Sequence, residues 1–305
     1  MPHHDVLVWA GFTGLVLALL VVDLKVVNRR AHVLTVREAT LWSAGLAALA
    51  TGFGLFLLVF EGSHKALEFF SGYLIELSLS VDNLFVFLLI FQYFKVPEKL
   101  QPRVLKWGIF GAMIMRGLMI GLGAFLLLKF QWITYVFGAV LVITGIRMLK
   151  AGGVEPVKPE HNPVVRIARK FLPFTANYEK DHFFTRMHGK WFGTPLLLVV
   201  LIVEWSDLVF AIDSIPAIFA VTRDPFIVYS SNVFAVLGLR ALYFVLSGVM
   251  EQFRYLKPAV AAILVFVGLK MGISAWVHIP TGASLAVIIG LISAGVAASL
   301  LRPVK

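Results

Sequence analysis

The chain has 305 residues, 59% of them hydrophobic and only 14% charged, with a mean hydropathy of +0.88. A soluble domain needs more polar surface than this, so the composition is that of a membrane protein, and the net charge of +10 is no sign of a nucleic-acid partner. The absence of cysteine excludes disulfides, iron–sulfur clusters and thiolate metal sites.

Apolar runs long enough to cross a bilayer as helices, roughly 17 to 25 residues, occur nine times: 6–27, 40–60, 69–94, 108–128, 133–149, 194–220, 226–250, 259–277 and 283–301. The first run has no Lys or Arg ahead of it and exceeds a signal-peptide core, so it reads as a retained span. Lys and Arg then fix the orientation. With the N-terminus outside, the inner segments hold twenty of them and the outer segments only Lys65, Lys129 and Arg223. The expectation is nine spans in one membrane domain, N-terminus out and C-terminus in. Two leading helices (6–60) precede a first unit (69–149), a cytoplasmic basic loop (150–193), a second unit (194–277) and a last helix (283–301). The basic loop reads as a topology determinant that meets anionic lipid headgroups.

The two units match at their polar positions. The third run carries Glu76, Asp82 and Asn83 where the sixth carries Asp207, Asp213 and Ser214. Phe110 and Arg116 of the fourth answer to Phe234 and Arg240 of the seventh, and Gly145-Ile-Arg147-Met148 answers to Gly268-Leu-Lys270-Met271. Three spans per unit is an odd number, so the second copy must run inverted. That is a transporter architecture, with its site at the repeat interface near the midplane.

Glu76, Asp82, Glu204, Asp207 and Asp213 therefore lie at bilayer depth, where each acid costs about 2.5–3.5 kcal/mol on insertion scales. Such a cost needs partners. Arg116 and Arg240 serve as positioning counter-charges, and the remaining negative charge suits a bound cation. Oxygen ligands, with every His in a loop or at a span edge, favour a hard ion such as Mn²⁺, Mg²⁺ or Ca²⁺. On ideal helices Glu76, Ser80 and Asn83 share one face, as do Asp207, Ala211 and Ser214, whereas Asp82 and Asp213 point about 120° away. A helix break would bring them back, and Pro216 supplies a reason for one in the sixth span by leaving the Ile212 carbonyl without a donor. The competing reading is that the acids pair with Arg116, Arg240, Arg147 and Lys270 and only fix packing, although buried ion pairs stabilise weakly. Asp23 reads equally as an interfacial partner of Lys25 or as a ligand; His3 and His4 read as a terminal segment.

Gly72-Tyr-Leu-Ile-Glu76-Leu-Ser-Leu-Ser-Val-Asp82-Asn83 and Glu204-Trp-Ser-Asp207-Leu-Val-Phe-Ala-Ile-Asp213-Ser-Ile-Pro216, with Asp224-Pro-Phe-Ile-Val-Tyr-Ser-Ser-Asn232 and Gly238-Leu-Arg240-Ala, resemble the signature segments of the TerC family, in its Alx-like branch. The resemblance runs across nearly the whole chain. It implies a fold similar to the lysine-exporter superfamily, location in the bacterial inner membrane and a part in manganese homeostasis, with the five acids lining the metal path. Mn²⁺ is then the transported substrate, no organic cofactor is expected, and protons are the counter-ion that carboxylates would exchange for metal. The alternative is a membrane factor that assists insertion or metal loading of other proteins. An intramembrane aspartyl enzyme would need Tyr-Asp and Gly-x-Gly-Asp motifs, and neither surrounds Asp82 or Asp213.

Overall fold

The computed structural model describes residues 6–26, 36–130, 132–150, 163–187, 189–246, 255–274, 276–277 and 279–301; His3, His4 and the side chains of Asp23 and Asp82 lie outside the described residues. The helices are α1 (Val6–Val26), α2 (Val36–Phe60), α3 (Ser63–Tyr93), α4 (Gln101–Lys129), α5 (Ile133–Lys150), α6 (Pro163–Phe171), α7 (Pro195–Phe219), α8 (Pro225–Leu246), α9 (Leu256–Ile273) and α10 (Thr281–Leu301). Among the described residues, six helices are long and apolar enough to span a membrane: α2, α4, α5, α7, α8 and α10. The apolar stretches of α1 and α9 are shorter, and α3 carries His64, Lys65, Glu68, Glu76 and Asp82 along its length. An all-α membrane protein results, in which the helices satisfy their own backbone polar groups, as a bilayer requires.

The sides of α4 show how a helix apolar all round is sorted. Ile114, Leu118, Leu122, Phe125 and Leu128 form an exposed stripe at helical spacing, with Leu118 69% accessible. The opposite face buries Ala112, Met113, Arg116, Ile120, Gly123 and Leu127. Lipid faces the apolar stripe and the one mid-helix charge turns inward. α8 is the central helix, buried along almost all its length between α1, α2, α3 and α4. Its start is set by Asp224, whose Oδ1 accepts the Phe226 N–H at 3.0 Å, and by Pro225, which forfeits no helical bond at a first-turn position. Phe12, Phe53, Phe69, Phe226 and Phe234 interlock around it, with neighbouring centroids 5.1–6.3 Å apart.

α5 and α9 form the most extensive pairing, and glycine makes it possible. A methyl group added at Gly145 would come 2.7 Å from the Ala261 carbonyl oxygen, and one at Gly268 2.7 Å from that of Gly138. Small residues that let two backbones touch are how helices associate where lipid removes the hydrophobic drive.

The 150–193 stretch carries regular structure of its own. Its described part folds into α6 and a hairpin of β1 (Phe184–Met187) with β2 (Lys190–Gly193), pairing Phe184 with Gly193 and Met187 with Lys190. The Tyr178 hydroxyl donates to the Phe94 carbonyl at 2.9 Å, and Arg103 pairs with Asp181 while lying 5.2 Å from the centre of the Phe183 ring. Polar composition hid this element because its anchors are single contacts to distant helix ends.

Candidate cation-binding site

α3, α4 and α7 meet in the protein interior. α3 presents Glu76, Ser80 and Asn83, and α7 presents Asp207, Ala211 and Ser214; all six are at most 2% exposed. These are the two faces that helical spacing puts together. From α4, the wholly buried Arg116 reaches between them. Its Nε and Nη2 donate to Asp207 Oδ2 and Oδ1 at 2.9 and 2.7 Å, and its Nη1 donates to Glu76 Oε1. The two-pronged contact with Asp207 is the strong, orienting form of this pair. Two carboxylates thus share one guanidinium.

The same faces of α3 and α7 carry three buried oxygens without a hydrogen-bond partner among the described residues: Glu76 Oε2, Ser80 Oγ and Ser214 Oγ. Orphaned buried oxygens cost about 1–3 kcal/mol each, so each of the three is in want of a proton donor or cation. Arg240 of α8 is also buried, 1% exposed.

Other expected ligands diverge. Asp213 is half-buried on another side of α7, where Thr144 of α5 donates to its Oδ1 at 2.9 Å. Glu204 is half-buried, with its carboxylate laid on the bare Cα of Gly111 in α4. It lines an apolar cavity of about 320 Å³ with Trp107, Phe110, Phe183 and Phe184. The helix break anticipated at Pro216 is not found: α7 runs unbroken from Pro195 to Phe219 with Pro216 inside it. One lost bond is a local cost, and the tight burial of Ile215, Pro216, Ala217 and Ile218 holds the helical path. α3 likewise continues through residue 82. Accordingly, among the described residues no three His, Asp or Glu side chains gather as a metal-binding group.

Sequence reasoning overlooked Glu68, which is 7% exposed near the start of α3. Its signal was present: it precedes the wholly buried Ser71 and Ile75 by three and seven residues, and it follows His64 by four.

Helices that turn apolar side chains outward and enclose an arginine-bridged pair of acids define a polytopic all-α integral membrane protein. The chain belongs to the integral membrane protein TerC family, whose profile matches residues 61–304. A Myxococcus xanthus protein described as an uncharacterized membrane protein is 49% identical over 96% of this chain and 92% of its own length. Proteins of Salmonella typhi and Escherichia coli K12, each named "Putative membrane-bound redox modulator Alx", are 48% and 47% identical over 94% of this chain and 92% of theirs. No solved structure matches.

Proposed function

We propose that the chain is a divalent-cation transporter of the bacterial inner membrane, with Mn²⁺ exported by alternating access and protons as counter-ion. The observation that carries this reading is the convergence of Glu76 from α3 and Asp207 from α7 away from water, with the orphaned Glu76 Oε2, Ser80 Oγ and Ser214 Oγ on the same two helix faces. With both acids ionised the group is one negative charge in excess, and its unpartnered atoms are hard oxygen donors of the kind Mn²⁺ takes. In this reading Arg116 holds the acids between loading events. Asn83 completes the α3 side, while Glu204 and Asp213 are neighbouring stations towards α4 and α5. The redox name belongs to the relatives, and this chain, with no cysteine, has no thiol through which to carry such chemistry.

The proposal includes nine spans, N-terminus outside, and two inverted three-helix units, α3–α5 and α7–α9. Reciprocal packing supports the units. α3 packs on α8 as α4 packs on α7, and α5 packs on α9. Moving from Gly145 to Gly268, from Gly138 to Ala261 and from Val142 to Val265 shifts each by the same number of residues, and it carries the contacts of Gly145 with Ala261 and Val265 onto those of Gly268 with Gly138 and Val142. Units related in this way can rock against each other around a site at their interface.

The test is Mn²⁺ flux into liposomes holding the purified chain alone. Wild type should move Mn²⁺, and Glu76→Gln and Asp207→Asn should each reduce the rate at least tenfold while remaining monodisperse. Wild-type liposomes without flux would overturn the transport reading and favour an accessory membrane factor.

A further inference from the structure

A second polar cavity, of about 390 Å³, opens where α3 begins and α7 and α9 end, away from Arg116. It is lined by His64 and Glu68 of α3, Lys270 of α9 and Ser274 just after it, and Thr222 and Arg223 after α7. By the charge asymmetry this is the outer mouth. Glu68 is unusual there: its side chain is 91% buried, by a relative exposure of 9%. Its Oε2 makes no hydrogen bond among the described residues. Oε1 lies 3.4 Å from His64 Nδ1, one helical turn back. The nearest cation to Oε2, Lys65 Nζ at 3.6 Å, is itself held at 2.5 Å by Asp224 Oδ2. Lys65 is thus divided between Asp224 and Glu68, with the shorter contact to Asp224, so Glu68 shares its counter-charge.

The surroundings decide which ligand fits. Two helix C-termini reach the cavity, at Phe219–Thr222 and Met271–Ser274, and a helix C-terminus carries partial negative charge. Against this stand Arg223 and the Lys270 ammonium, which lies within electrostatic range of Glu68. A carboxylate and an imidazole at one-turn spacing, with Thr and Ser hydroxyls and room for water, make an incomplete ligand shell. Such a shell holds a hydrated divalent cation loosely.

We propose that Glu68 and His64 form a second, weak divalent-cation station at this mouth, for which the Lys270 ammonium is a tethered competitor. An exported ion arriving from the centre would compete with the charge of Lys270 at Glu68, and that charge would favour its departure. The station rests on the transport reading for its purpose, but its binding can be measured separately. A weak terminal station also suits an exit, since an ion held tightly there would not be released.

The experiment is a Mn²⁺ titration of purified full-length protein in detergent, followed by the electron paramagnetic resonance signal of free aqueous Mn²⁺. Wild type should show two classes of bound ion. Glu68→Gln and His64→Gln should weaken only the weaker class, about tenfold, and Lys270→Met should tighten it by a similar factor. His64 is 73% exposed, so its replacement leaves folding intact should Glu68→Gln misfold. Glu76→Gln with Asp207→Asn should remove only the tighter class. If His64→Gln and Lys270→Met both titrate like wild type, or wild type binds no Mn²⁺, the station is overturned. If a single class survives that answers to Glu68 and Lys270, the central site falls and the station stands.

Discussion

Arg116 is the residue whose loss should be felt most. It is wholly buried and donates three hydrogen bonds to two carboxylates that are themselves at most 2% exposed. Arg116→Gln leaves both acids without a cation, and removing one partner from a buried pair costs about 3–5 kcal/mol. Asp207→Asn should cost less, because the Arg116–Glu76 contact survives it. The double variant Arg116→Gln with Asp207→Asn halves the number of uncompensated charges, so it should recover about 1–3 kcal/mol relative to Arg116→Gln alone. Unfolding in mixed micelles by titration with a denaturing detergent, read by the fluorescence of the seven tryptophans, measures all four proteins. An Arg116→Gln protein as stable as wild type, or a double variant destabilised by the sum of the singles, would refute the bridged-acid arrangement.

Other consequences follow from the packing and the loop. Gly145→Ala and Gly268→Ala each place a methyl group 2.7 Å from a backbone carbonyl oxygen of the partner helix; each should lower stability by about 1–3 kcal/mol, whereas Gly121→Ala, with nothing within 4 Å, should not lower it. Burial alone would lower the Lys65 ammonium, but its hydrogen bond and charge contact with Asp224, and then Glu68, outweigh this and raise it above the ordinary value of 10.5. Its contribution is therefore complete below pH 10.5 and is lost as pH climbs through the higher folded value, so Asp224→Asn should be destabilising at pH 8 and converge on wild type in strong alkali, as a pH series of the same unfolding measurement would show. Burial pushes the Tyr178 phenol up to about 12, which keeps it a donor to Phe94 across the physiological range. Tyr178→Phe should cost about 0.5–1.5 kcal/mol and speed protease cleavage between residues 172 and 193, with no change expected in cleavage elsewhere.

How much of this was legible in the chain depends on the range of the interaction. Apolar run lengths and the placement of Lys and Arg define a membrane protein without any tertiary knowledge, because the bilayer acts on each segment separately. Helical periodicity is equally local: it joined Glu76 to Ser80 and Asn83, and Asp207 to Ser214, and it separated Asp213 from them. The six residues of those two faces are indeed buried, and Asp213 turns instead to Thr144. The expected break at Pro216 failed because a single missing hydrogen bond was weighed without the packing that holds the turn around it.

Periodicity within one helix says nothing about which other helix arrives beside it. That Arg116 inserts between acids forty and ninety-one residues away in sequence, that Glu204 rests on Gly111, and that Lys65 is divided between Asp224 and Glu68 beside a cavity are decisions of helix packing. They turn on interlocking shapes, such as the bare backbones of Gly138, Gly145 and Gly268, whose complementarity exists only once both partners are in place. The chain by itself determined the solvent it lives in and the faces its acids share; the tertiary structure decided which charges meet, because buried charges choose partners by proximity and proximity is a property of the whole fold.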